Sequence, residues 1–164
     1  APLRRDQGAK PFELRQHLRN IAGQYIGVVR DGQGLQQALS DLKTIRTKEL
    51  PRLAVSGSRS RRCNAEWWEA VQMLNLVQCL EMQSMAALYR EESRGSHYRL
   101  DHTDTDNDRW LKNIVCRRAD GQEIALDTAE VVVTTMPLPR GVMTYQEAIG
   151  VATASLSRRG EVQE

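Results

Sequence analysis

The stretch NAEWWEAVQMLNLVQCLEMQSMAALYRE, residues 64–91, decides the fold. Asn64 is a natural helix N-cap, because its side-chain oxygen can accept an orphan backbone N–H, and Glu66 sits in the first turn where the helix dipole favours a negative charge. The polar residues Glu66, Glu69, Gln72, Asn75, Gln78, Glu81 and Ser84 recur every third position. Three residues turn an α-helix by about 300°, so this polar stripe slides around the cylinder and no single face stays polar. A helix apolar over most of its girth is packed on several sides. The reading is a central third helix over 65–91, with surface left over for a partner.

Upstream, Leu14, Leu18, Ile21, Tyr25 and Val28 recur at steps of four and three, which predicts a helix over 12–29 opened by Pro11. Asp31-Gly32-Gln33-Gly34 breaks it. Leu35, Ala38, Leu39, Leu42, Ile45 and Leu50 then mark a second helix that ends at Pro51, and the short link makes the two antiparallel neighbours. Downstream, Trp110–Arg118 reads as a strand, Asp120-Gly121 as a hairpin turn and Glu123–Leu126 as the return. The β-branched run 130–139 ends in two prolines, and 145–157 reads as a short helix. The expected fold is mainly α, a three-helix bundle of spectrin-repeat type with a small β-hairpin or sheet appendage. Residues 1–11 form a leader, the bundle spans about 12–92, the appendage about 109–136, and 140–164 a tail.

Composition narrows the function. The chain has 164 residues and a net charge of +2 from 23 basic and 21 acidic side chains, which gives no concentrated basic excess for nucleic acid. No apolar run reaches the roughly 18 residues needed to span a bilayer. The start of the chain lacks a signal-peptide core. Cys63, Cys79 and Cys116 form no CxxC pair, which favours reduced cytosolic thiols over a disulfide framework or zinc knuckle.

Several motifs invite a chemical reading. Asp104, Asp106 and Asp108 match the opening of a calcium loop, but Arg109 stands where that loop needs glycine and Val115 where it needs a bidentate glutamate. A solvated acidic loop is the expectation. Gly32-Gln33-Gly34 lacks the third glycine and the preceding parallel sheet of a dinucleotide cradle. His97, His102 and Cys116 make a poor zinc signature, no base stands beside a cysteine, and the side chains of Ser96 and His97 diverge. No catalytic residue and no metal site is expected. Arg59, Arg61 and Arg62 form a basic loop, and adjacent Trp67 and Trp68 point about 100° apart, one toward core and one toward an interface.

There remains ESRGSHYRLDH, residues 92–102, with Glu92, Ser93, Arg94, Gly95, His97 and Arg99. A helix ending explains Gly95 as a left-handed cap and Arg94 as a capping charge. It leaves His97 and Arg99, which can hold an anionic group or pair with neighbouring carboxylates.

The run E-S-R-G-S-H-Y-R-L-D, the acidic loop after it, and Trp110-Leu111-Lys112 resemble the C-terminal domain of the fumarate reductase and succinate dehydrogenase flavoprotein subunit. Gly27-Val28-Val29-Arg30, Asp120-Gly121 and TTMPLP (134–139) add to the resemblance, which covers about 12–139. L-aspartate oxidase and the alpha subunit of adenylylsulfate reductase are kin, and the Trp-Leu-Lys start and T-T-M-P ending favour the fumarate/succinate branch. The resemblance implies a three-helix domain that follows flavin and capping domains, with FAD bound by the parent and none by this chain. It implies a flavin domain as partner, an iron–sulfur subunit facing loop 59–62, and self-association of the isolated domain. Glu92, Ser93, Arg94, Gly95, His97 and Arg99 become interdomain or flavin-proximal candidates. The implied location is cytoplasmic, or the cytoplasmic membrane face through other subunits, without nucleic acid or direct membrane insertion. The rival reading is an independent helical binding module without redox chemistry.

Overall fold

The structure is a computed structural model that describes residues 2–5, 7–56, 60–119, 123–132 and 139–150. The fold is mainly α. The chain divides into two compact units, one built from residues 1–27 and 33–85, the other from 28–32 and 86 onward.

The first unit holds α1 (Pro11–Ile21), most of α2 (Gly32–Thr44) and most of α3 (Ala65–Tyr89). Pro11 stands in the first turn of α1, where its missing N–H costs nothing. A wider π-type turn, Ala22–Ile26, continues α1, and another, Ile45–Glu49, continues α2 before a 3-10 turn at Leu50–Arg52. Leu14, Leu18 and Ile21 from α1 meet Ala38 and Leu42 from α2, and Ala70, Met73, Val77 and Leu80 from α3, in one core. Removing each large apolar side chain from water contributes roughly 1.5–3 kcal/mol. Asn64 caps α3 as expected: its Oδ1 accepts the Trp67 backbone N–H at 3.0 Å.

In the second unit, β1 (Val29–Arg30) pairs in parallel with β2 (Tyr98–Arg99). β3 (Asp104–Asp106) pairs antiparallel with β6 (Val142–Thr144). β4 (Lys112–Arg118) and β5 (Ile124–Glu130) form the expected hairpin. The short helix α4 (Asn107–Trp110) precedes β4.

Several boundaries differ from the sequence reading. The first helix stops short of 29, because Gly27 takes an extended ψ and Val28 and Val29 lead into the pairing with β2. The third helix ends at Tyr89 rather than 91. Trp110 closes α4 instead of starting a strand, and the return strand reaches Glu130. Val142–Thr144, read as tail, forms a strand, and residues 145–150 are helical. The Asp120-Gly121 turn, Arg59, most of TTMPLP and residues 151–157 lie outside the described residues.

Candidate functional site

The segment after α3 turns back on itself within a few residues, and its side chains make most of the bonds that hold it. Arg99 is 2% exposed. Its Nη1 donates to the carbonyls of Ala87 (2.9 Å), Leu88 (3.1 Å) and Arg90 (3.0 Å), which are orphan acceptors at the end of α3. Nε and Nη2 donate to the two carboxylate oxygens of Asp101, each at 2.7 Å. A helix C-terminus carries partial negative charge, so a buried guanidinium there gains from the dipole as well as from its bonds.

Asp101 then links to the start of α2. Its Oδ2 accepts the Gly32 backbone N–H at 3.0 Å. A Cβ at Gly32 would lie 2.8 Å from that oxygen, so only glycine allows the approach. The Arg99 guanidinium, followed by the Gly32 N–H, holds the Asp101 carboxyl well below the usual carboxylate range. This also decides the Gly32-Gln33-Gly34 question. The anion position at the N-terminus of α2 is filled by the chain's own carboxylate, and the parallel ladder beside it is two residues long. These residues do not fit a dinucleotide pyrophosphate.

Glu92 is a second buried centre. Its Oε1 accepts from Arg90 Nη1 and from Arg94 Nε at 2.9 Å, and its Oε2 accepts from Arg94 Nη2 at 3.0 Å and the Asp106 N–H at 2.9 Å. Arg90 also donates to the carbonyls of Trp110 (2.9 Å) and Lys112 (2.6 Å), and Arg94 to Asn107 Oδ1 (2.9 Å). Ser93 Oγ accepts the Arg99 N–H at 2.9 Å and donates to the His102 carbonyl at 2.7 Å. Glu92, Ser93 and Arg99 are thus buried in the unit that carries them, whereas Arg94 and His97 are half-buried and Gly95 is exposed.

Two sequence expectations change here. Gly95 has the expected left-handed φ of 57°, but it stands in a tight turn closed by the paired backbones of Arg94 and His97, well past Tyr89. Arg99, not Arg94, caps the α3 carbonyls; Arg94 serves Glu92. Tyr145 Oη donates to the Gly95 carbonyl at 2.5 Å, and its ring meets Tyr98 edge-on. The acidic loop is not simply solvated. Asp106 caps α4 by accepting the N–H groups of Asp108 and Arg109, each at 3.0 Å, and Asp108 accepts the Gly141 N–H at 2.9 Å. Among the described residues no group of His, Cys, Asp or Glu is placed to hold a metal, and the three cysteines form no disulfide with one another. Sequence reasoning missed Arg30, Arg90 and Asp101 as site residues; their signal is only nearness to the 92–99 motif or to the Gly-Val-Val-Arg stretch.

Among the described residues, apolar surface stands open in each unit. On α3, Trp68 is 56% and Leu74 58% exposed, with Val71 between them. At about 100° per residue Trp68 and Val71 face away from the buried row Ala70, Met73, Val77 and Leu80, and Leu74 flanks that row. Trp67 packs against the core instead. In the second unit, a groove of about 740 Å3 is lined by Val28, Val29, Tyr98, Tyr145 and Ile149 among others. No helix of the described residues is long and apolar enough to cross a membrane.

Comparison with known proteins agrees with this architecture. The chain is 33% identical over 105 residues to the succinate dehydrogenase flavoprotein subunit of Coxiella burnetii, covering 64% of this chain and 18% of that protein. It is 30% identical over 120 residues to L-aspartate oxidase of Streptomyces coelicolor, covering 73% and 20%. Among solved structures, Mycobacterium smegmatis Sdh1 in complex with UQ1 superposes with a TM-score of 0.67 at 28% identity, covering 76% of this chain and 21% of that one. The chain therefore spans about a fifth of the length of the curated relatives it matches. The family model described as fumarate reductase flavoprotein C-term matches residues 15–145, from within α1 to the start of the helical residues 145–150, and the chain belongs to that family.

Proposed function

We propose that this chain is the C-terminal architectural domain of an FAD-dependent oxidoreductase of the succinate dehydrogenase/fumarate reductase type. In this reading α1–α3 form a three-helix bundle that packs against the flavin domain, and the parent protein, not this chain, binds FAD. The observation that carries it is the exposed apolar side of α3, where Trp68 and Val71 stand in solvent away from the core and Leu74 stands exposed beside them. Exposed apolar surface in a contiguous patch marks an interaction site. Within the 92–99 motif, Arg94, Gly95 and His97 keep surface for interdomain contact, while Glu92, Ser93 and Arg99 support them from inside.

Arg61 and Arg62 flank the start of α3 and are exposed, which suits an acidic neighbour such as an iron–sulfur subunit. Attachment through such subunits would hold the protein at the cytoplasmic face of a membrane without a span of its own. Family membership weighs against the independent adaptor.

The test is to mix the chain with a flavin-bearing remainder of the parent and measure binding. Association at micromolar concentration, weakened at least tenfold by Leu74→Glu, supports the reading. A flavin spectrum retained by the chain alone, dye-linked succinate oxidation by it, or binding indifferent to Leu74→Glu would overturn it.

A further inference from the structure

Among the described residues, the ion pairs around the 92–99 turn leave one nearby guanidinium out. Arg30, on β1, forms no ion pair among the described residues, and its Nε is buried without a hydrogen-bond partner. The Nε2 of His97 is likewise buried and unpartnered. The β1–β2 ladder sets Arg30 opposite Arg99, with His97 two residues before it. The carboxylates of this cluster are already committed, Glu92 to Arg90 and Arg94, and Asp101 to Arg99 and Gly32. A half-buried guanidinium beside other cations, with no counter-ion, is costly in itself. Burial and the Arg99 charge both disfavour the protonated state of Arg30. For His97, burial comes first and the Arg30 charge second, bringing its pKa down to about 4.

We propose that Arg30 and His97 together form a binding site for a carboxylate. The planar guanidinium offers paired N–H donors that match the two carboxylate oxygens, and the His97 Nε2–H supplies a further donor once the ring is protonated. Both residues keep part of their surface in solvent, while Arg30 Nε and His97 Nε2 themselves are buried. The carboxylate is either a small free anion or an Asp or Glu side chain of a neighbouring domain. The site stands on the two unpartnered nitrogens, whether or not the α3 face docks.

The test is an NMR titration of the histidine ring protons, with acetate as probe and chloride at equal ionic strength as control. His17 and His102 serve as internal references. An opposite charge in contact shifts a pKa by about one unit or more. Saturating acetate should therefore raise the His97 midpoint by about one unit, a tenfold gain in proton affinity. Arg30→Gln should abolish the acetate-dependent part, and Arg30→Lys, which keeps the charge but loses the fork, should reduce it. Unshifted His17 and His102 signals report that each variant is folded. The same titration in a longer flavoprotein carrying this sequence separates the sources. A His97 midpoint already raised without acetate assigns the site to a protein carboxylate; a midpoint that moves only with acetate assigns it to a free anion. A midpoint near 4 in both proteins, moved by acetate no more than by chloride, would overturn the proposal.

Discussion

Arg99 grips both oxygens of the Asp101 carboxylate at 2.7 Å, and through Asp101 the end of α3 is tied to the first N–H of α2. One guanidinium thus meets the negative end of one helix and fixes the anion at the positive end of another.

Removing it is expected to be expensive. Arg99→Ala exposes three orphan carbonyls at the end of α3 and leaves Asp101 without its fork, a loss of about 2–4 kcal/mol. Arg99→Lys should recover only part, because an ammonium cannot hold Asp101 with two parallel bonds and reach the carbonyls as well. Urea midpoints of the three proteins check this.

Glu92→Gln probes the second centre. The buried carboxylate answers two arginines and the Asp106 N–H, and an amide NH2 in place of Oε2 would set a donor against the Arg94 Nη2 and Asp106 N–H donors. A loss of about 3 kcal/mol is expected in the same urea assay. Glu91→Gln, one residue away and exposed, should change stability by less than about 0.5 kcal/mol.

Acid stability should carry two signatures of opposite chemistry and the same sign. The Asp101 pKa is depressed by Arg99, so its contribution is complete above the ordinary aspartate pKa near 4 and is lost as pH falls below it. His97 is held neutral, with its pKa lowered from 6.5 to about 4, so the unfolded chain binds its proton first. Stability therefore falls as pH drops from 6.5 toward 4 and levels off below, as far as His97 is concerned. His97→Gln should flatten the upper window and Asp101→Asn the lower one, in urea midpoints measured against pH.

The apolar face of α3 should show itself in the isolated chain. Concentration-dependent self-association is expected by sedimentation, and Trp68→Glu or Leu74→Glu should yield a monomer. Both positions are more than half exposed, so thermal stability should hardly change.

How much of this was legible in the sequence follows from how local each signal is. The cap at Asn64, Pro11 opening α1 and the β4–β5 hairpin depend on neighbours a few residues apart; the first two appear where the pattern puts them, and the hairpin appears with its strand ends shifted. The parallel pairing of Val29–Arg30 with Tyr98–Arg99 joins segments 69 residues apart and has no periodic trace in either. At the turn, Gly95 announced its left-handed conformation, but that conformation serves tight turns as well as helix ends. The arginine that caps α3 stands beyond the turn, so sequence distance pointed to Arg94 when the returning chain delivers Arg99. Burial was the other hidden quantity: Glu92 and Arg99 read as candidates for interdomain contact, and the structure buries both against partners within the chain.

The docking reading is tested most directly by hydroxyl-radical footprinting of the chain, alone and bound to its flavin-bearing remainder. The account predicts that Trp68, Val71 and Leu74 lose most of their reactivity on binding, while exposed Phe12 on α1 keeps its own. Equal reactivity of Trp68 and Leu74 in the free and bound states would contradict it.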